Sequence, residues 1–215
     1  GLGPLTLMSL DNLPANGTLS YNGQAVQIGQ VIPATGNQAS LSFTPNADWN
    51  GNTSFQYRSS DAAGNVDQTA ATITIQVNAL NDAPLNQLPA SYSTSEDVAL
   101  KLSGLSVSDV DASAGDLSVN LNVSSGLLSA SSTAGVIVSG SGTGSLVLTG
   151  SLVAINAYLA DAASQPAFTP VADASGTVTL SMISNDNGNT GAGGSLIDSD
   201  NISIIVNPVA DAVPS

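Results

Sequence analysis

Apolar residues recur at every second position along most of this chain. Leu5 and Leu7 alternate with polar neighbours, as do Leu19 and Tyr21, Leu41 and Phe43, Phe55 and Tyr57, and Ile73, Ile75 and Val77. The rhythm resumes after residue 90 in Leu117, Val119, Leu121 and Val123, then in Val136 and Val138, Leu146 and Leu148, Val178, Leu180 and Met182, and Ile202, Ile204 and Val206. A period of two turns one face of a pleated strand inward, so these runs predict half-buried strands. Gly, Asn, Asp and Ser separate them, as hairpins and sandwich loops require. Many short strands with turn signals between them predict an all-β sandwich or barrel. One segment breaks the rhythm. Leu152, Ile155 and Leu159 stand at helical spacing behind Ser151, a good N-cap, which predicts a single short helix over 151–160 that crosses between sheets.

The chain repeats itself. Phe43-Thr44-Pro45 returns as Phe168-Thr169-Pro170, an offset of 125 that also carries Asp48 to Asp173, Gly51 to Gly176 and Asp61 to Asp186. The last strands match at an offset of 129, which pairs Ile73, Val77, Asn78 and Asp82 with Ile202, Val206, Asn207 and Asp211. The extra residues fall between Asp186 and Asp200. A repeat of this length predicts whole domains in tandem. We place the first at 1–80, a linker at 81–84, the second and larger at 85–208, and the start of another linker at 209–215. Proline at 84 stops the preceding strand from running on. The first domain is short at its front and reads as lacking its first strand or strands. Gly1 is no natural initiator, and the repeated boundary at the chain's end predicts a further module.

Charge sharpens this picture. Sixteen acidic residues face two basic ones, Arg58 and Lys101, for a formal net charge of −14. So acidic a chain has no surface that could track phosphates, which sets nucleic acid aside as a partner. Anionic membranes would repel it, and no apolar run is long enough to span one. The absence of cysteine excludes disulfides and thiolate metal sites. The absence of histidine excludes a Ser-His-Asp triad. Paired carboxylates could hydrolyse glycosides, but the acids gather at domain ends rather than in an aromatic-lined cleft. The chain is therefore expected not to be an enzyme.

Following the strands of the second domain up and down places Asp82, Asp109, Asp111, Asp186, Asp198 and Asp200 at the end where the linker enters, with Asn81 adding a neutral oxygen. Crowded carboxylates repel one another and resist ionisation unless a cation compensates them. Calcium takes six to eight oxygen ligands of this mixed kind, whereas magnesium keeps its waters and demands tighter geometry. The expected metal ligands are thus Asn81, Asp82, Asp109, Asp111, Asp186, Asp198 and Asp200, and the expected cofactor is Ca2+. Glu96, Asp97 and Asp211 belong to the opposite end and would serve a following junction. Asp61 and Asp67 lie at the corresponding top of the first domain.

These residues resemble cadherin-type repeats in the version found in very long bacterial adhesins of the RTX class. Asn81-Asp82-Ala83-Pro84 resembles the cadherin linker motif, one residue shorter before its proline. Asp109-Val110-Asp111 matches the Asp-x-Asp loop, Ser95-Glu96-Asp97 the early acidic position, and Asp186 the acid before the last strand. Leu13 to Leu19 and Phe43 to Gly51 look like the common adhesin repeat. At the second boundary Ala210-Asp211 replaces Asn-Asp, a departure from the pattern. The resemblance implies two Ig-like (cadherin-like) sandwiches that act as calcium-stiffened extenders. They would be exported by type I secretion to the bacterial cell surface, for attachment and biofilm formation. It implies a monomer whose partners are neighbouring repeats of the same chain.

Two other readings compete. A carbohydrate- or protein-binding module could use Trp49, the single tryptophan, to stack on a sugar, although Ala174 at the matching position favours a plug before a tight turn. An isopeptide staple could use Lys101, the single lysine, although its place between Leu100 and Leu102 puts it on the polar phase, and we expect no such bond.

Overall fold

The computed structural model describes residues 5–112 and 115–210. Two compact units emerge, Gly1–Ala79 and Leu80–Ser215. Asp211 lies outside the described residues.

In unit 1 the chain runs through β1 (Leu5–Leu10), β2 (Gly17–Tyr21), β3 (Gln24–Ala25), β4 (Val31–Pro33), β5 (Ser42–Pro45), β6 (Gly51–Asp61) and β7 (Ala71–Val77). These form a sheet of order β4-β1-β6-β7 and a second of order β3-β2-β5. Met8, Leu10, Leu19, Val26, Ile32 and Phe55 are buried together. The alternation at Leu5 and Leu7 does not set the inward face. The register of β1 against β6 slips between those two residues, so Met8 and Leu10 turn inward while Leu7 stays 39% exposed. A bulge exchanges the two faces of a strand in this way.

In unit 2 the order is β8 (Leu85–Gln87), β9 (Ser91–Ser95), β10 (Leu100–Lys101), β11 (Ser106–Ser108), β12 (Asp116–Val123), β13 (Leu127–Ser129), β14 (Ile137–Ser139), β15 (Ser145–Ser151), α1 (Leu152–Ala160), β16 (Ala167–Thr169), β17 (Gly176–Asn185) and β18 (Ile197–Asn207). A six-stranded sheet of order β14-β15-β12-β17-β18-β9 faces the short sheets β10-β16-β13 and β11-β8. Its pairs are antiparallel except β9 with β18. The even-spaced runs read from the sequence fill the core: Leu117, Val119, Leu121, Leu146, Leu148, Leu180, Met182, Ile204 and Val206 are all buried. The helix starts where its cap predicts, since the Ser151 hydroxyl accepts the Ala154 N–H. It lays Ile155, Tyr158 and Leu159 against the same core.

The repeated Phe-Thr-Pro does the same job in both units. Phe43 of β5 pairs with Leu19 of β2, and Phe168 of β16 pairs with Leu128 of β13. Two residues before each leucine stands a glycine, Gly17 or Gly126, so close to the phenylalanine ring that a Cβ would lie 2.3 Å or 2.6 Å from it. Among the described residues no helix is long and apolar enough to cross a membrane.

Candidate metal site

The upper end of unit 2 is built around a buried carboxylate. Strand β17 carries the chain up to Asp186, which is 0% exposed. Asp186 Oδ1 accepts the N–H of Gly188 and of Leu196, each at 2.8 Å. Asp186 Oδ2 accepts the side-chain amide of Asn81. Burial pushes the Asp186 carboxyl up, but these donors together outweigh it and hold its pKa below the usual aspartate value. Asp186 is thus an ionised anchor that fixes the first residues of the unit.

That anchorage decides how Asn81 points. Its amide nitrogen also donates to the Gly194 carbonyl at 2.9 Å, and its backbone N–H donates to the Ala192 carbonyl at 2.9 Å. Both partners of the side-chain nitrogen are pure acceptors, so the orientation of the amide is settled by its surroundings. Asn81 Oδ1 is left facing the other way. The residue is only 4% exposed.

The next residue ties in the Asp-x-Asp loop. The Asp82 N–H donates to Asp111 Oδ2 at 3.1 Å. Asp109 Oδ1 accepts the N–H of Asp111 at 3.2 Å and of Ala112 at 3.0 Å, a side-chain-closed turn. Three buried side-chain oxygens remain without a hydrogen-bond partner among the described residues: Asn81 Oδ1, Asp109 Oδ2 and Asp111 Oδ1. Buried polar atoms are nearly always paired, and an unpaired one costs about 1–3 kcal/mol. All three orphans are acceptors, and all three lie on segments joined by the Asp82–Asp111 bond. What they lack is positive charge. Among the described residues no three carboxylates close on one another tightly enough to hold a metal by themselves. The donor set is two carboxylates and an amide oxygen.

Asp109 reports the strain of this arrangement. Burial first, and then the neighbouring Asp111 carboxylate, push its pKa up to about 6 from the ordinary 3.8. The folded value lies above the unfolded one, so the protonated form favours the fold. That stabilisation is complete below pH 3.8 and is lost as pH rises through about 6. In chelator, the melting temperature is expected to fall across this window, and the fall should vanish in Asp109→Asn. Thermal scans in steps of half a pH unit check this. A flat profile in the unmodified chain would contradict it.

The structure places the remaining candidates elsewhere. Asp198 and Asp200 share the inward phase of β18 with Ile202 and Ile204. Asp198 Oδ2 accepts the Asn86 N–H of β8 at 2.7 Å, and Asp200 stands opposite Met182. The Asp198 carboxylate thus fastens a short strand to the large sheet, below the Asn81 group. Glu96 is buried at the far end of β18, where its carboxylate accepts the Val209 N–H. In unit 1, Asp61 repeats the Asp186 device within one loop. It accepts the N–H of Ala63 and Asn65 and the side-chain amide of Asn65. Lys101 donates to the Gln165 carbonyl, and Trp49 is half-buried with its ring 3.5 Å from where a Gly51 Cβ would be.

The loop at 187–196 had no expected role beyond connection, yet it roofs the site. Thr190 donates to the Asp111 carbonyl, and the Asn189 amide donates to the carbonyls of Asp186 and Asp116. Gly191 has φ +133, and a Cβ there would lie 2.5 Å from the Asn81 nitrogen. Only glycine lets the chain entering the unit lie so close. The signal was present as four extra residues rich in glycine, placed directly after Asp186.

Residues 3–76 match the bacterial Ig domain family. Unit 1 is therefore similar to bacterial Ig domains over nearly its whole length, in keeping with its two sheets. No curated protein matches the chain. Among solved structures, it is similar to the EC1-2 fragment of human mucin-like protocadherin, at 14% identity and a TM-score of 0.40, over 94% of this chain and 84% of that one. The extracellular domain of protocadherin GammaB4 matches at 14% identity and a TM-score of 0.39, over 94% of this chain and 27% of that one. An endo-fucoidan hydrolase matches at 16% identity and a TM-score of 0.25, over 93% of this chain and 27% of that one. At that level none of these structures bears on function.

Proposed function

We propose that the chain is a pair of extender repeats from a long secreted bacterial adhesin, and that unit 2 holds calcium where its first residues enter. The observation that carries this reading is the trio of buried, unpartnered oxygens on Asn81, Asp109 and Asp111. Asn81 Oδ1, Asp109 Oδ2 and Asp111 Oδ1 would hold the ion, with backbone carbonyls and water completing an all-oxygen shell. Calcium supplies two positive charges and accepts such a mixed, irregular set of donors. Asp186 acts through Asn81, whose amide it orients. Asp82, Asp198 and Asp200 would add charge nearby without being needed as first contacts.

The mechanical consequence follows from chain connectivity. Strand β7 ends at Val77, and the Leu80–Ala192 bridge already belongs to unit 2. An ion that fixes Asn81 would fix the root of this connection and shorten its free length. The role proposed is reach and stiffness rather than catalysis, in a monomer whose partners are its own neighbouring repeats at the bacterial surface, after type I secretion.

Small-angle scattering of the intact chain tests it. In 10 mM calcium the maximum dimension should exceed that in chelator, and the spread of particle lengths should narrow, at monomer mass. Identical profiles in the two buffers would remove the stiffening role.

A further inference from the structure

One side of unit 1 is open where unit 2 is closed, and unit 2 shows what closes it. We propose that unit 1 takes up the leading strand of another repeat, a segment patterned like 91–102, laid parallel along β7. The inference rests on the internal repeat and not on the cation site.

The two units share one strand plan. The pairs Leu10–Tyr57, Gly51–Val77 and Phe55–Ile73 of unit 1 become Leu121–Met182, Gly176–Val206 and Leu180–Ile202 of unit 2. Strands β1, β6, β7 and β5 therefore stand where β12, β17, β18 and β16 stand. In unit 2 a single stretch then lines the side of the sandwich. Its β9 lies parallel on the outer edge of β18, with Tyr92 beside Ile204. Its β10 pairs with β16 in the other sheet, with Leu100 opposite Phe168. The N–H of Leu102, itself fully buried, donates to the Pro166 carbonyl at 2.9 Å.

Unit 1 has no such stretch among its described residues. Strand β7 ends one of its sheets and β5 ends the other. The side chains beneath record the difference. Phe168, Met182, Ile204 and Val206 are at most 3% exposed. Their counterparts at the same offsets, Phe43, Tyr57, Ile75 and Val77, are all only half-buried. Pro166 corresponds to Leu41, and there a cleft of about 780 Å³ opens, lined also by Tyr21, Tyr57 and Ile73.

The edge itself is unguarded. Free sheet edges are usually blunted by charge, proline or a bulge. Strand β7 reads Ala-Thr-Ile-Thr-Ile-Gln-Val, with no charge and no proline, and it pairs with β6 without a register shift. An added strand gains main-chain hydrogen bonds along such an edge, and its alternate side chains settle into the gaps beneath. Those gaps define the partner: an extended segment, uncharged where it meets β7, with an aromatic residue at the place of Tyr92 and leucines at the places of Leu100 and Leu102. A second copy could offer its own β7, but that strand brings nothing to cover β5 or fill the cleft beside Leu41.

The test adds a synthetic peptide of residues 91–105 to the intact chain in chelator, so that the cation site takes no part. Trp49 is the single tryptophan and lies in unit 1, so its fluorescence follows that unit. Expected is a rise in the unfolding temperature reported by Trp49 that grows with peptide concentration, together with slowed hydrogen exchange at 74–78. A peptide carrying Tyr92→Ser should bind at least tenfold more weakly, and so should the parent peptide to an Ile75→Glu chain. The peptide substitution carries no folding risk, so a misfolded chain variant does not decide the result. The proposal is overturned by absence of binding, or by affinity unchanged with the Tyr92→Ser peptide. Slowed exchange at 203–207 instead of 74–78 would overturn it too, because the peptide would then be replacing β9 in unit 2. So would a dimer of the chain alone that Ile75→Glu dissolves, which would assign the edge to a second copy. Loss of the calcium-dependent change in scattering leaves this test untouched, so the two readings fail separately.

Discussion

Asp186→Ala should cost unit 2 about 3–5 kcal/mol and abolish its response to calcium. Asp186 is fully buried and accepts from Gly188, Leu196 and Asn81. Removing the carboxylate leaves those donors facing an apolar methyl, and each orphaned donor costs about 1–3 kcal/mol before relaxation. Domains of this size hold only about 5–15 kcal/mol in total, so the loss is a large share of the stability present. Asp186→Asn is the informative companion. It keeps the shape and one acceptor for the two backbone N–H groups, but it can set a second NH2 against the Asn81 amide. The expected penalty is smaller, yet Asn81 should still lose its orientation, and with it the calcium response. Chemical denaturation gives the energies, and hydrogen exchange at Gly188 and Leu196 shows whether the local network opened. An Asp186→Ala variant within about 1 kcal/mol of the parent would mean that Asp186 does not hold this end together.

This network shows which parts of the molecule a sequence can disclose. The inward runs of β12, β15 and β17 were readable because burial on one face imposes a period of two, and nothing else produces it over so many strands. The helix was readable from Leu152, Ile155 and Leu159 together with the Ser151 cap. The face of β1 was not, because a bulge between Leu5 and Leu7 leaves composition untouched while reversing direction. At the candidate site, strand directions alone place Asn81, Asp109, Asp111 and Asp186 at one end of unit 2, and the Asn81–Asp186 and Asp82–Asp111 hydrogen bonds join these segments there. Their division of labour was not found. Whether a carboxylate is saturated by N–H donors, as in Asp186, or left with a bare oxygen, as in Asp109, depends on loop paths that no period encodes. Asp198 and Asp200 illustrate the same limit. An Asp-x-Asp at the start of a strand can face a loop or a neighbouring strand, and here the inward phase turns both toward β8. The roof at 187–196 was visible only as glycine-rich spacing, whose purpose becomes clear once Gly191 is seen against the Asn81 backbone.

Calcium itself should raise the melting temperature of the parent, and neutralising the loop should abolish that rise. Extracellular calcium sites of this type have dissociation constants of about 10⁻⁴–10⁻³ M. At about 10 mM calcium, one such site contributes about 1.4–2.7 kcal/mol, or about 3–10 °C for a domain of this length. The double substitution Asp109→Asn and Asp111→Asn keeps Oδ1 of residue 109 as the acceptor that closes the turn, so the backbone path is preserved. What it removes is charge. Without calcium, the parent carries two partly buried carboxylates, and burial first, then the neighbouring Asp111 side chain, pushes the Asp109 pKa up to about 6. The variant carries neither, and in chelator near pH 7.5 it should melt at a higher temperature than the parent. In calcium the order should reverse, because only the parent gains from the ion. If the acids served merely to cap turns, both substitutions would be close to neutral and calcium would shift neither protein. The crossing of the two melting curves between buffers is therefore the result that a purely structural cluster could not give.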